Sequence, residues 1–168
     1  HAPDAVVIVA TIRALKMHGG RALAELTEAD VPAVERGLEN LAAHIDSAKK
    51  FRRPVVVAIN RFPTDTEEEF SAVKNFCAGQ DVACAVADVF GQGGDGATEL
   101  AQLVVEACAK PSPAFEPLYP LDLSAEEKIR VIAREIYGAD GVSLTPKARK
   151  KLELLERAGA SRLMVCMA

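Results

Sequence analysis

Tryptophan is absent from this 168-residue chain, so no indole is available to any site it builds. A basic excess is absent too. The formal net charge is -4 and the pI near 5.5, which argues against a general nucleic-acid binder, since such proteins carry a basic stripe or surplus. The four cysteines, Cys77, Cys84, Cys108 and Cys166, never fall at C-x-x-C spacing. They read as buried free thiols of a reducing compartment rather than a disulfide frame or zinc site. No run reaches the ~18–20 apolar residues of a membrane span. No internal repeat and no low-complexity tract interrupts the chain. His18 and His44 have no companions at metal-ligand spacing, so no metal site is expected. No signal-peptide layout precedes the first apolar run. Core-strand patterns lie at both ends, Ala5 to Ala10 and Leu163 to Met167, and lead us to expect an inner piece of a longer chain.

What is present is a set of short apolar runs separated by helical periodicity. The clearest is Val55 to Ile59, five apolar residues, mostly β-branched, which read as a strand buried on both faces. It stops at Asn60. Phe62-Pro63 then imposes an extended turn, because the residue before a proline is steered away from helix. Thr66 and Glu69 form a capping-box pair, and Phe70, Val73, Phe76 and Cys77 continue at helical spacing. Strand, polar turn and capped helix is where open α/β sheets bind ligands, beyond the carboxyl ends of the strands. Two readings stand side by side: a ligand site at Asn60 and Phe62, or a turn cap and a packed ring.

Residues 5–10 predict a first strand, with Arg13 and Lys16 just past its end. That basic pair is placed either to meet an anion or to sit in a solvated turn, and the turn is the plainer reading. Val31, Val34, Leu38, Leu41, Ile45 and Ala48 predict one long helix with a packing face. Asp81 to Phe90 predicts a third strand running into the glycine turn Gly91 to Gly96. That turn could bring backbone N–H groups to a ligand, but no Lys-Ser/Thr follows, so it is not a Walker A loop. Leu100, Leu103, Val104 and Ala107 predict the next helix. Prolines at 111, 113, 117 and 120 mark a connector. Ser124 with Glu127, and Thr145-Pro146, open two further helices before a last strand over 163–167. The order predicts an α/β fold: a mostly parallel sheet flanked by helices on both faces, with a two-helix excursion before the last strand. The division expected is 1–110 for the core with the strand-end loops, and 111–168 for the connector, two helices and final strand.

Several stretches together resemble one family, formate–tetrahydrofolate ligase. They are Val7 to Gly20, Asn40-Leu41 with His44-Ile45, Pro54 to Glu67, Gly93 to Gly96, Glu127 to Ile129, Ile136 to Gly141, and Val165 to Ala168. Ala58 to Thr66 is the most specific of these. The resemblance implies a P-loop-related fold. It also implies an ATP-dependent reaction in which formate is phosphorylated and tetrahydrofolate attacks the formyl phosphate, giving 10-formyltetrahydrofolate, ADP and phosphate. ATP with Mg2+ and tetrahydrofolate are the implied substrates, with a monovalent cation as a further implied ligand. A cytoplasmic homo-oligomer with small-molecule partners, and neither nucleic acid nor membrane, is implied as well. The family's Walker-type loop and its catalytic basic residues fall upstream of this chain, so this piece alone is expected to be inactive.

Residue by residue, the resemblance carries the folate site onto Phe62, Pro63 and Phe90, two aromatics past the ends of two strands that could hold a pterin ring between them. Phe90 stands where relatives usually have tryptophan, which leaves less ring area and no indole N–H. Asn60 resembles a nucleotide contact. Arg13 and Lys16 lie in a matched segment without an assigned role. A non-catalytic α/β module binding a nucleotide or partner is the alternative function. A dehydrogenase-type reading of the glycines at 91–96 is poor, because the turn is not in the first strand–helix unit.

Overall fold

The computed structural model describes residues 2–167. Strands Val6–Ala10 (β1), Val55–Asn60 (β2) and Ala83–Ala87 (β3) form a parallel sheet in the order β1-β2-β3. Around and after it come helices Ile12–His18 (α1), Val31–Lys49 (α2), Glu67–Gly79 (α3), Val89–Gln92 (α4), Thr98–Ala109 (α5), Ala125–Tyr137 (α6) and Pro146–Arg157 (α7). The expected α/β class with a helix-flanked parallel sheet is observed. The chain divides into two compact units, His1–Pro113 and Ala114–Ala168.

In the first unit β2 is the middle strand, and Val55 to Ile59 are all buried. Alternation sorts its side chains. Val55, Val57 and Ile59 join Leu38, Leu41 and Ile45 of α2 and Phe70, Val73 and Cys77 of α3 in one apolar cluster. Val56 and Ala58 are buried as well but lie outside that cluster, on the other face, where α5 packs against β3 and β2. β1 is covered on one face only. Val6 and Ile8 pack on the cluster, whereas Val7 and Val9 are 40% and 67% exposed, because α5 covers β2 and β3 and does not extend over β1. The expectation of helices on both faces therefore holds for the middle strand and fails at β1.

α1 occupies a stretch whose polar residues suggested a turn. Thr11 caps it, its hydroxyl accepting from the Ala14 N–H at 3.1 Å, and Ile12, Leu15 and Lys16 are its buried stripe. The backbones of α1 and α2 nearly touch. A Cβ on Gly37 would lie 1.9 Å from the Leu15 carbonyl oxygen, and one on Gly19 would lie 1.8 Å from that of Ala33. Only glycine permits that approach. α2 begins at Val31, with the Asp30 carboxylate capping the Ala33 N–H.

β3 is shorter than the ten apolar-rich residues from Asp81 to Phe90 suggested. Asp88 leaves the strand and its carboxylate accepts from the Gly91 N–H, so Val89 and Phe90 start a single helical turn.

The second unit contains α6, capped reciprocally by Ser124 and Glu127, and α7, capped by Thr145. A last strand over 163–167 does not form among the described residues. Side chains meet the backbone groups that a neighbouring strand would have paired. The buried Lys128 ammonium donates to the carbonyls of Ser161 and Leu163, and the Tyr119 hydroxyl accepts from the Val165 N–H at 2.9 Å. The apolar run was not a sign of a sheet partner.

Candidate functional site

The turn after β2 is built from the strand outward. Asn60 pairs in register with Ala87 of β3, and its side chain is exposed at the strand end. The Arg61 N–H continues the ladder to the Ala87 carbonyl at 3.0 Å. Phe62-Pro63-Thr64-Asp65 then closes on itself. The Asp65 N–H donates to the Phe62 carbonyl at 3.0 Å, and the Asp65 Oδ2 accepts from the Phe62 N–H at 2.8 Å. Proline at the second position of a four-residue turn suits the φ required there. The Phe62 ring is half-buried and Pro63 exposed. The Arg13 guanidinium lies 4.3 Å from the Phe62 ring centroid, within cation–π range, and its terminal nitrogen donates to the Thr64 hydroxyl at 3.2 Å.

Beneath the turn lies a buried ion pair. Lys16 Nζ sits 3.0 Å from Glu69 Oε1, and both side chains are fully buried. Glu69 also accepts from the Asp30 N–H and the Thr66 N–H, each at 3.0 Å, while Lys16 donates to the Glu28 carbonyl at 2.7 Å. One carboxylate thereby ties together α1, the entry to α2 and the start of α3. This corrects the reading of Lys16 as an anion contact: its ammonium is enclosed and spent on protein partners, as a buried charge must be. Arg13, its companion in that reading, is half-buried against Phe62 and Thr64.

Two carboxylates four residues apart are pushed in opposite directions. Burial raises the Asp65 pKa above the ordinary carboxylate value and outweighs the Phe62 N–H, and its Oδ1 has no hydrogen-bond partner. Burial also pushes Glu69 up, but the Asp30 and Thr66 N–H groups and the Lys16 ammonium outweigh it, and the net shift is downward. Asp65 and Glu69 were not singled out as site residues from the sequence. The Thr66–Glu69 spacing revealed the cap of α3 but gave no sign of the lysine beneath it.

Phe90 lies past the end of β3, on the same end of the sheet as Phe62, because β2 and β3 are parallel and paired there. Its ring is 96% exposed. The loop around it is organised by Asp88, which accepts from the Gly91 N–H and from the Gln92 side chain at 2.9 Å, and these hydrogen bonds hold its pKa low. The glycines serve this loop directly. A Cβ on Gly96 would lie 2.2 Å from the Asp88 carbonyl oxygen, so the loop folds back on β3 through a bare backbone.

Other features lie away from these turns. A cavity of about 410 Å³ opens at the amino ends of β2 and β3, among Arg53, Val55, Ala83, Leu103 and Pro113, and shares no residue with them. Cys77 and Cys84 hydrogen-bond to one another, which together with burial raises the Cys84 pKa, and both are free thiols. Cys108 and Cys166 are exposed, contrary to the expectation that the cysteines are buried. Among the described residues no three His, Cys or carboxylate groups gather as metal ligands, and no helix is long and apolar enough to cross a membrane.

A family model described as formate–tetrahydrofolate ligase matches residues 1–168. The chain is 49% identical over 167 residues to a formate–tetrahydrofolate ligase of Lactiplantibacillus plantarum, and 51% identical over 169 residues to one of Arthrobacter sp. strain FB24. Each match takes in 99% of this chain and 30% of the relative, so the chain spans about a third of the length of these relatives. The sequence matched along its whole length, with the two strand-end turns inside it, belongs to the formate–tetrahydrofolate ligase family.

Proposed function

We propose that this chain supplies the folate-holding turns of an ATP-dependent enzyme that joins formate to tetrahydrofolate. The observation that carries this reading is the Phe62 ring, fixed at the carboxyl end of the middle strand with Arg13 on one side. A flat pterin is held by ring faces, and a ring already fixed by its own turn loses little freedom on binding. Phe62 and Pro63 form one wall, and Phe90, on the neighbouring turn at the same sheet end, forms the other. Asn60, exposed at the strand end, contacts the nucleotide. ATP arrives with Mg2+ and phosphorylates formate. The folate amine then attacks the formyl phosphate, and the product is 10-formyltetrahydrofolate with ADP and phosphate.

The fold is P-loop-related, and the phosphate-cradling loop and the catalytic basic residues belong to the rest of the polypeptide. In this reading residues 1–110 carry the strand-end loops, and 111–168 are the connector and the packing helices. The working protein is a cytoplasmic homo-oligomer that meets small molecules rather than nucleic acid or membrane.

The test has two arms. The full-length protein carrying this chain forms 10-formyltetrahydrofolate from ATP, formate and tetrahydrofolate, read by product absorbance. The 168-residue chain alone forms none above a no-protein control, because it holds no glycine–lysine loop for the phosphates. A full-length protein that binds nucleotide but never formylates tetrahydrofolate would instead fit a binding module.

A further inference from the structure

We infer that Arg13 is a positioning residue for tetrahydrofolate: it backs one face of Phe62 and leaves the pterin only the opposite face and edge. The inference rests on the folate reading of the Phe62 turn and goes beyond it by assigning Arg13 a task.

Sheet register brings the two residues together. β1 and β2 are parallel, with Ala10 opposite Ile59. Arg13 and Phe62 each lie three positions beyond those partners, one on the first turn of α1 and one in the turn after β2. Thr11 fixes where α1 starts, so Arg13 leaves the sheet at a set height. Its guanidinium then makes two contacts with a single turn, a stack on the Phe62 ring at 4.3 Å and a hydrogen bond to Thr64 at 3.2 Å. A planar cation with a fork of donors can do both at once; an ammonium cannot. Lys16, on the same helix, is locked below by Glu69, so α1 is anchored while Arg13 remains at the site.

Two buried polar atoms at this turn lack a hydrogen-bond partner. Arg13 Nε is buried without a hydrogen-bond partner, and so is Asp65 Oδ1, the free oxygen of the carboxylate that closes the Phe62 turn. A plain packing cluster satisfies its buried donors and acceptors. Here a cationic donor and an anionic acceptor are held in reserve beside the ring that faces substrate. With one Phe62 face filled by Arg13, removal of the guanidinium frees the ring to tilt and opens a second, unproductive surface for stacking.

The experiment uses the full-length protein, with Arg13→Met and Arg13→Lys, each substrate varied in turn. Arg13→Met is expected to raise the KM for tetrahydrofolate by about three- to thirty-fold, the range of one cation–π contact and one hydrogen bond. The KM for ATP and for formate and the kcat should stay within about twofold. Arg13→Lys keeps the charge and should recover less than half of the loss on a logarithmic scale. Amide hydrogen exchange at Phe62 and Asp65, followed in the same proteins, should quicken in Arg13→Met at an unchanged melting temperature. A tetrahydrofolate KM within twofold of the parent, equal movement of the ATP and formate constants, or full rescue by lysine overturns the inference. A parent protein with no formate–tetrahydrofolate ligase activity sinks the functional reading instead. In that case unchanged exchange at Phe62 and Asp65 still refutes the positioning role.

Discussion

Two phenylalanines stand at the same end of one sheet, and the protein treats them differently. Phe62 is half-buried, stacked by Arg13, and held in a turn that Asp65 closes from both its backbone and its carboxylate. Phe90 is almost wholly exposed on a four-residue helix capped by Asp88. The difference comes from what lies beneath. The turn after β2 sits between α1 and α3, where the Lys16–Glu69 pair binds both helices. The turn after β3 lies at the edge strand, with glycines and solvent around it. One wall of the proposed pterin site is therefore preformed. The other has to be ordered by the ligand or by the rest of the polypeptide, which puts more of the entropy cost of binding on Phe90.

The most direct way to break this contrast is to remove the support under Phe62. Glu69→Ala leaves the Lys16 ammonium buried without its carboxylate and frees two N–H groups. The expected loss is about 3–5 kcal/mol of folding stability, measured by urea denaturation. A loss below about 1 kcal/mol would mean that water reaches Lys16 and that the pair is not the anchor.

The two rings can then be compared by truncation. Phe62→Ala removes a half-buried ring and is expected to cost about 1–2 kcal/mol, roughly half of a full core deletion. Phe90→Ala should stay within about 0.5 kcal/mol, as surface changes do. Equal costs would erase the distinction between a held wall and a loose one.

Phe90→Trp sharpens it from the other side. In the full-length protein a larger face should lower the KM for tetrahydrofolate by less than about tenfold, or under ~1.4 kcal/mol, with little change for ATP or formate. A shifted ATP constant with an unchanged folate constant would move Phe90 to the nucleotide site. In the isolated chain, which has no other tryptophan, the emission of the new indole should be that of a solvated ring.

The smallest effect is a pH signature of the Phe62 turn. Asp65 has a raised folded pKa, so its contribution is present below the ordinary carboxylate value of 3.8 and is lost as pH rises through the raised one. Asp65→Asn keeps an acceptor for the Phe62 N–H and removes the buried charge. At pH 7 it should be equal to or more stable than the parent, by up to about 1 kcal/mol, and the gap should close as pH falls towards 4. Glu69 has the opposite sign. Its contribution is present above its ordinary 4.5 and is lost as pH falls through its lowered value. Thermal melts of both variants across pH 3 to 8 read the two slopes separately. An Asp65→Asn protein that is less stable at every pH would show that the carboxylate is needed in its charged form.

Much of the fold was legible because local patterns have local causes. The run Val55 to Ile59, short and mostly β-branched, reads as a buried strand, and the pairs Thr66–Glu69 and Ser124–Glu127 cap helices with apolar spacing behind them. Phe62 stood out because a proline follows it at a strand end. α1 was missed because seven residues with an arginine, a lysine and a histidine look like a turn until Gly19 and Gly37 are seen letting two backbones touch. The strand expected over 163–167 was misplaced for a related reason. Apolar residues signal burial or extension, but pairing needs a neighbour with free backbone groups, and Lys128 and Tyr119 had taken that role.

Strand-turn-helix order, the helix caps and the matched segments that mark the family were readable along the chain, since each depends on residues only a few positions apart. Tertiary structure alone decided that Lys16 is an internal anchor, that Arg13 backs Phe62 across 49 residues, and that Phe90 stands bare. Those outcomes depend on which buried charge meets which partner and on what packs beneath each turn. Desolvation and close packing act between residues distant in sequence, so no pattern along the chain could have announced them.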